Sequence, residues 1–179
     1  MKRSAIPNII TSVRIVGAAA LLFIPAFKLP FYIIFTLCGF TDALDGYLAR
    51  RFNAESELGS KLDSIADLIF YGVMVIKLLP VMIQKLPLGV WLMIGAVFAI
   101  RLVVYIFAAV KFHRFASLHT YLTKISSALV FLAPYFAPTG YFTIYCGVWS
   151  VLGILAATEE FAIHISAKQY STRKSIIIK

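Results

Sequence analysis

Four aspartates, Asp42, Asp45, Asp63 and Asp67, stand in two stretches that are otherwise apolar enough for a bilayer interior, and they make up half of the chain's eight acidic residues. A carboxylate in hydrocarbon is costly, so such residues turn toward a bundle interior or polar cavity and mark function. At about 100° per residue on an α-helix, Asp42, Asp45, Gly46 and Ala49 fall within one narrow arc, while Gly59, Asp63 and Asp67 share a face of the next helix. The short polar run from Arg51 to Glu57 suits a turn between antiparallel neighbours. Folding about that turn brings Asp42 level with Asp67, Gly46 with Asp63 and Arg50 with Gly59, so the four carboxylates meet at one depth.

Converging negative charges repel strongly where the dielectric is low, which calls for a cation among them. Ion pairs with Arg50 and Lys61 are one way to supply it, but the segment holds too few cations at this depth. Oxygen ligands without His or Cys nearby suit Mg²⁺, Mn²⁺ or Ca²⁺ rather than zinc. Without a Cβ, Gly46 and Gly59 let a ligand or the facing helix come close to the backbone.

The rest of the chain sets these helices in a membrane. Of 179 residues, 61% are hydrophobic, a composition that indicates a polytopic membrane protein. A span takes about 20 apolar residues, so six spans with short loops use nearly all of residues 1–179 and make them a single all-α transmembrane domain. The spans are expected from Pro7 to about Phe27, then over about 31–51, 58–82, 88–112, 121–137 and 141–165, with Pro80, Lys85 and Pro87 marking the third turn and Pro138, Thr139 and Gly140 the fifth. The basic N-terminus and first apolar run also suit a signal peptide, but Asn8, Thr11, Ser12 and Arg14 interrupt the apolar core and no clear cleavage site follows.

The net charge of +9 does not indicate a nucleic-acid binder, because the basic residues sit at the ends of apolar segments rather than in an aromatic-laced patch. Lys2, Arg3, Arg50, Arg51, Lys61, Lys111, Arg114 and the tail residues Lys168, Arg173, Lys174 and Lys179 fall on one side, chiefly Lys28 and Lys85 on the other. The positive-inside rule then puts both termini and the Asp42–Asp67 turn in the cytoplasm. Cys38 and Cys146 lie singly among apolar residues and are expected to be small core residues. His113, His119 and His164 lack zinc spacing, and Glu160 with His164 forms an i,i+4 pair.

The string D-x2-D-G-x2-A-R-x8-G-x3-D-x3-D, carried by Asp42, Asp45, Gly46, Ala49, Arg50, Gly59, Asp63 and Asp67, resembles the signature of the CDP-alcohol phosphatidyltransferase (phosphotransferase) family at every fixed position. The opening P-N-x-x-T-x-x-R, from Pro7 to Arg14, is similar to that of the members that make phosphatidylglycerophosphate and cardiolipin.

The resemblance implies transfer of a phosphatidyl group from CDP-diacylglycerol to an alcohol, with release of CMP. It also implies two Mg²⁺ or Mn²⁺ ions on Asp42, Asp45, Asp63 and Asp67, with Asp67 also acting as the base on the acceptor hydroxyl. Gly46, Ala49, Arg50 and Gly59 would hold the CDP portion, with Asn8, Thr11 and Ser56 contributing to the same donor site. A homodimer in the inner or plasma membrane, with the active site in a polar cavity at the cytoplasmic side, is implied as well.

Arg101 and Lys124 are cations at membrane depth that either balance Glu159 and Glu160 or form an acceptor pocket. With such a pocket the expected acceptor is sn-glycerol 3-phosphate, giving phosphatidylglycerophosphate. The stretch around Lys124 departs from the G-K-x-K-T pattern common in such members, and Leu102 stands where Glu is common, so serine, inositol phosphate and phosphatidylglycerol stay open as acceptors. From another class, a cation transporter could also hold acidic groups in a helical bundle, but the Gly, Ala and Arg positions beside the carboxylates favour nucleotide chemistry.

Overall fold

The structure, a computed structural model, describes residues 5–51, 57–112 and 120–166, without the side chains of residues 5–8, 43, 45–51, 57, 58, 60 and 112. Among the described residues there are six α-helices: α1 Ala5–Ala20, α2 Leu29–Arg51, α3 Glu57–Lys85, α4 Leu88–Phe112, α5 Tyr121–Phe136 and α6 Phe142–Ser166. They fall into two compact units, Met1–Gln84 and Lys85–Lys179.

Three stretches are long and apolar enough to cross a membrane, Lys61–Lys85, Leu88–Lys111 and Phe142–Ser166, and shorter apolar stretches run over Ile9–Ala20 and Leu29–Asp42. Helices α1 and α5 have 16 residues each, which at about 1.5 Å per residue is short of a hydrocarbon core of about 30 Å. Among the described residues, length and composition together therefore identify three of the six spans expected. Large apolar side chains nevertheless point outward along the helices, among them Leu68, Leu92, Phe98, Val110 and Ile144, a surface suited to lipid and costly in water.

In the first unit α1 packs on α2. Phe31 and Phe35 stack at 5.7 Å between ring centroids, and Phe35 stacks on Phe70 of α3 at 5.0 Å. Helix α1 ends at Ala20, well before the expected Phe27. Pro25 has no N–H to continue the helix and disfavours helical backbone at Ile24, and Phe27 takes a left-handed turn conformation with φ 61°. Lys77 of α3 donates from Nζ to the carbonyls of Leu22 at 2.8 Å and Ile24 at 2.9 Å, which satisfies two acceptors in the turn that follows α1.

Helix α3 passes through Pro80, which was expected to mark a turn, and ends only at Lys85. Interior prolines are tolerated in apolar helices where the remaining ladder and its neighbours hold the backbone.

In the second unit α6 packs on α4 and α5. Gly153 makes the α4 contact close, since a Cβ there would lie 3.0 Å from Cγ1 of Val97. Thr120 caps α5 by accepting from the Thr123 N–H at 3.2 Å. Lys111 Nζ donates to the carbonyls of His164 at 2.8 Å and Ile165 at 2.9 Å, and Lys85 Nζ to those of Ala137 and Thr139, both at 3.0 Å. The ends of α4 and α6 therefore meet, so these helices run parallel, the arrangement that alternating passes require.

Candidate active site

The site lies within the first unit, where α1, α2 and α3 each contribute a side chain. Helices α1 and α2 come close at Gly17 and Cys38: a Cβ at Gly17 would lie 3.0 Å from Cys38 Sγ. One turn further along each helix, Arg14 of α1 meets Asp42 of α2. Its Nη1 donates to Asp42 Oδ1 and its Nη2 to Asp63 Oδ1 of α3, with Asp67 Oδ1 at 3.7 Å from Nη2. One oxygen from each of Asp42, Asp63 and Asp67 falls within 4.8 Å of the others.

The helical phases therefore bring Asp42, Asp63 and Asp67 together as their spacing predicts. Among the other expected site residues, Thr11 is buried on α1, one turn from Arg14, and Gly59 lies on α3 one turn before Asp63. Asp45, Gly46, Ala49 and Arg50 lie on α2 and Asn8 on α1, but their side chains are outside those described, and Ser56 lies outside the described residues altogether.

The residue that sequence reasoning under-weighted is Arg14. In the sequence it shows only as an interruption of an apolar helix and as the end of the P-N-x-x-T-x-x-R opening, and Arg50 and Lys61 stand out instead as pairing cations. The available signal was a lone basic residue near the middle of an apolar 16-residue helix, which needs an acidic partner if it is buried.

Burial gives the cluster a direction. The Arg14 side chain is 1% exposed, whereas those of Asp42, Asp63 and Asp67 are 50%, 49% and 46% exposed. The guanidinium is buried in the helix packing, while the carboxylates it meets are about half exposed.

The donor set fits a hard divalent ion. It is all oxygen, and its spread of up to 4.8 Å is within the about 5 Å that two oxygens can span across Ca²⁺, while Mg²⁺, with bonds of about 2.1 Å, would draw the carboxylates closer together. Asp42, Asp63 and Asp67 are the described residues that would hold such an ion.

Arg101 and Lys124 belong to the second unit. Arg101 Nη1 lies 3.5 Å from Tyr105 Oη on α4, and Lys124 Nζ lies 5.7 Å from the centroid of the Tyr121 ring. Glu159 and Glu160 are buried on α6, and Glu160 Oε1 lies 3.8 Å from Nε2 of the buried His164, the i,i+4 neighbour expected from the sequence.

Residues 4–160 match the family model described as CDP-alcohol phosphatidyltransferase, and the chain belongs to that family. Among similar proteins, CDP-diacylglycerol--glycerol-3-phosphate 3-phosphatidyltransferase of Rickettsia bellii is 36% identical over 85 residues, which is 41% of this chain and 44% of that protein. The Pseudomonas fluorescens protein of the same name is 37% identical over 84 residues, 41% of this chain and 40% of the relative. Cardiolipin synthase (CMP-forming) of Rattus norvegicus is 35% identical over 106 residues, 54% of this chain and 35% of the relative. The chain thus spans less than half the length of each of these relatives. No solved structure matches it.

Proposed function

We propose that this chain transfers a phosphatidyl group from CDP-diacylglycerol to an alcohol, releasing CMP, with sn-glycerol 3-phosphate as the acceptor and phosphatidylglycerophosphate as the product. The observation that carries this reading is the meeting of Asp42, Asp63 and Asp67, from two helices, at a half-open polar cluster. Membership of the family supports the reaction type, and relatives whose names specify glycerol 3-phosphate support the choice of acceptor.

Asp42, Asp45, Asp63 and Asp67 would hold two Mg²⁺ or Mn²⁺ ions. Divalent metal at such a site neutralises phosphate charge and stabilises the leaving group. Asp67 accepts the proton of the acceptor hydroxyl as its oxygen bonds to the phosphorus of the phosphatidyl group and the bond from that phosphorus to the CMP oxygen breaks. Gly46, Ala49, Arg50 and Gly59, with Asn8, Thr11 and Ser56, hold the CDP portion, while Arg101 and Lys124 bind the acceptor phosphate. The chain acts as one six-span domain, dimeric, in the inner or plasma membrane, with both termini and the carboxylates toward the cytoplasm.

The test is a reaction panel. Purified protein, CDP-diacylglycerol and Mg²⁺ or Mn²⁺ are incubated with each acceptor in turn, CMP is measured, and the lipid is identified by mass. Metal-dependent CMP release with glycerol 3-phosphate and a phosphatidylglycerophosphate product is the expected result. Product with serine or phosphatidylglycerol alone would reassign the acceptor, and no CMP with any acceptor would remove the reaction.

A further inference from the structure

Arg14 presents an arrangement that the reaction as described does not use. Its buried guanidinium forks across two helices, one terminal nitrogen on Asp42 and the other on Asp63 and close to Asp67. These are the same three carboxylates whose oxygens are spaced for a divalent ion. We propose that Arg14 is a built-in counter-cation that competes with divalent metal for this cluster, so that metal loading is an exchange in which the guanidinium gives up its carboxylate contacts. The inference rests on the metal-site reading above and goes beyond it by naming the group that metal must displace.

The argument is one of charge and access. The three described carboxylates carry three negative charges, and Arg14 offsets one of them. Even with these side chains about half exposed, three carboxylates this close repel one another unless a cation lies among them. Arg14 therefore allows α1, α2 and α3 to pack before any ion arrives. The same charge then opposes a second cation placed within a few ångströms of it, and its hydrogen bonds occupy oxygens that metal would use. Metal can still reach the carboxylates, because each is about half exposed.

An opposite role fits the same contacts: Arg14 could hold one oxygen of each carboxylate so that the other oxygen points at metal. In that case its removal weakens metal binding. Competition requires the reverse sign.

The experiment measures Mn²⁺ binding directly, by the loss of the free-ion electron paramagnetic resonance signal, on the full chain purified in detergent micelles without substrate. Wild type, Arg14→Gln, Arg14→Lys and Asp63→Asn are compared, each checked for a monodisperse elution profile. The expected order of affinity is Arg14→Gln tightest, by about tenfold or more over wild type given the strength of charge interactions at this range, then Arg14→Lys and wild type, with Asp63→Asn weakest. Arg14→Gln should also melt at a lower temperature than wild type without metal and gain more from Mn²⁺.

Unchanged or weaker Mn²⁺ binding in folded Arg14→Gln would overturn the competition while leaving the metal site standing. Wild-type protein that binds no Mn²⁺, or binds it equally well after Asp63→Asn, would overturn the metal site itself and the inference with it. If Arg14→Gln does not fold, the wild-type protein still decides. Its Arg14 Nε–H resonance, identified by its loss in Arg14→Lys, should shift when Mg²⁺ is added. A resonance unmoved at saturating Mg²⁺ would overturn the exchange.

Discussion

Gly17 and Cys38 face each other so closely that a single added Cβ on the glycine would lie 3.0 Å from the cysteine sulfur. This contact lies one turn from the point where Arg14 meets Asp42, and it fixes how near the guanidinium of α1 stands to the carboxylate of α2.

The contact predicts coupled substitutions. Gly17→Val puts a Cβ 3.0 Å from Cys38 Sγ and adds two further carbons, so it should cost about 1–3 kcal/mol of stability and lower activity by separating α1 from α2. Cys38→Ala removes the opposing sulfur and should restore part of both losses in the double variant. Melting temperature and CMP release across the four proteins of the cycle measure this coupling. Strictly additive effects would show that the two residues do not set the spacing.

Asp67 and its neighbours should separate by role. Asp67→Asn is expected to leave a folded protein that still binds CDP-diacylglycerol, with turnover down by about 10²–10⁴-fold, the usual contribution of a general base. Asp42→Asn and Asp63→Asn should instead move the Mg²⁺ concentration needed for half-maximal activity. Activity above about a tenth of wild type in Asp67→Asn is too much for a missing base, and unchanged metal titrations in the other two would remove them as ligands.

The cluster was legible from helical phase because Asp42, Asp63 and Asp67 need only two neighbouring helices and a short turn to converge. Arg14 was not, because spacing within α1 gives its direction around that helix but not which helix lies opposite. The three lysines that donate to carbonyls at or beyond helix ends illustrate the same limit. Lys85 and Lys111 were counted as topology signals and Lys77 was not weighed, yet each reaches two backbone carbonyls more than 50 residues away in sequence. Pro80 misled for a local reason, since it resembles a stop signal in a sequence while α3 absorbs it.

Topology is tested at the two ends of α6, where Tyr141 and Ser166 are both exposed. In a chain with Cys38→Ala and Cys146→Ala, Tyr141→Cys should react with a membrane-impermeant maleimide in intact cells, and Ser166→Cys only after the cytoplasmic face is opened. The reverse pattern would invert the orientation, and labelling of both in intact cells would show that α6 does not span.

The acceptor prediction concerns Arg101 and Lys124. Each lies beside a tyrosine of its own helix, Tyr105 Oη at 3.5 Å for Arg101 and the Tyr121 ring at 5.7 Å for Lys124. A hydroxyl or an aromatic face does not cancel a positive charge, so both side chains keep the charge that an acceptor phosphate needs. Binding of that phosphate before and during reaction is uniform binding, which appears in KM rather than in kcat. Arg101→Ala and Lys124→Ala should therefore raise KM for glycerol 3-phosphate by about tenfold or more, in line with a charged hydrogen bond of about 1.5–3 kcal/mol. KM for CDP-diacylglycerol should stay near its wild-type value. A rise in the KM for both substrates would point to a general loss of structure, and an unchanged glycerol 3-phosphate KM in both variants would remove the pair from acceptor binding.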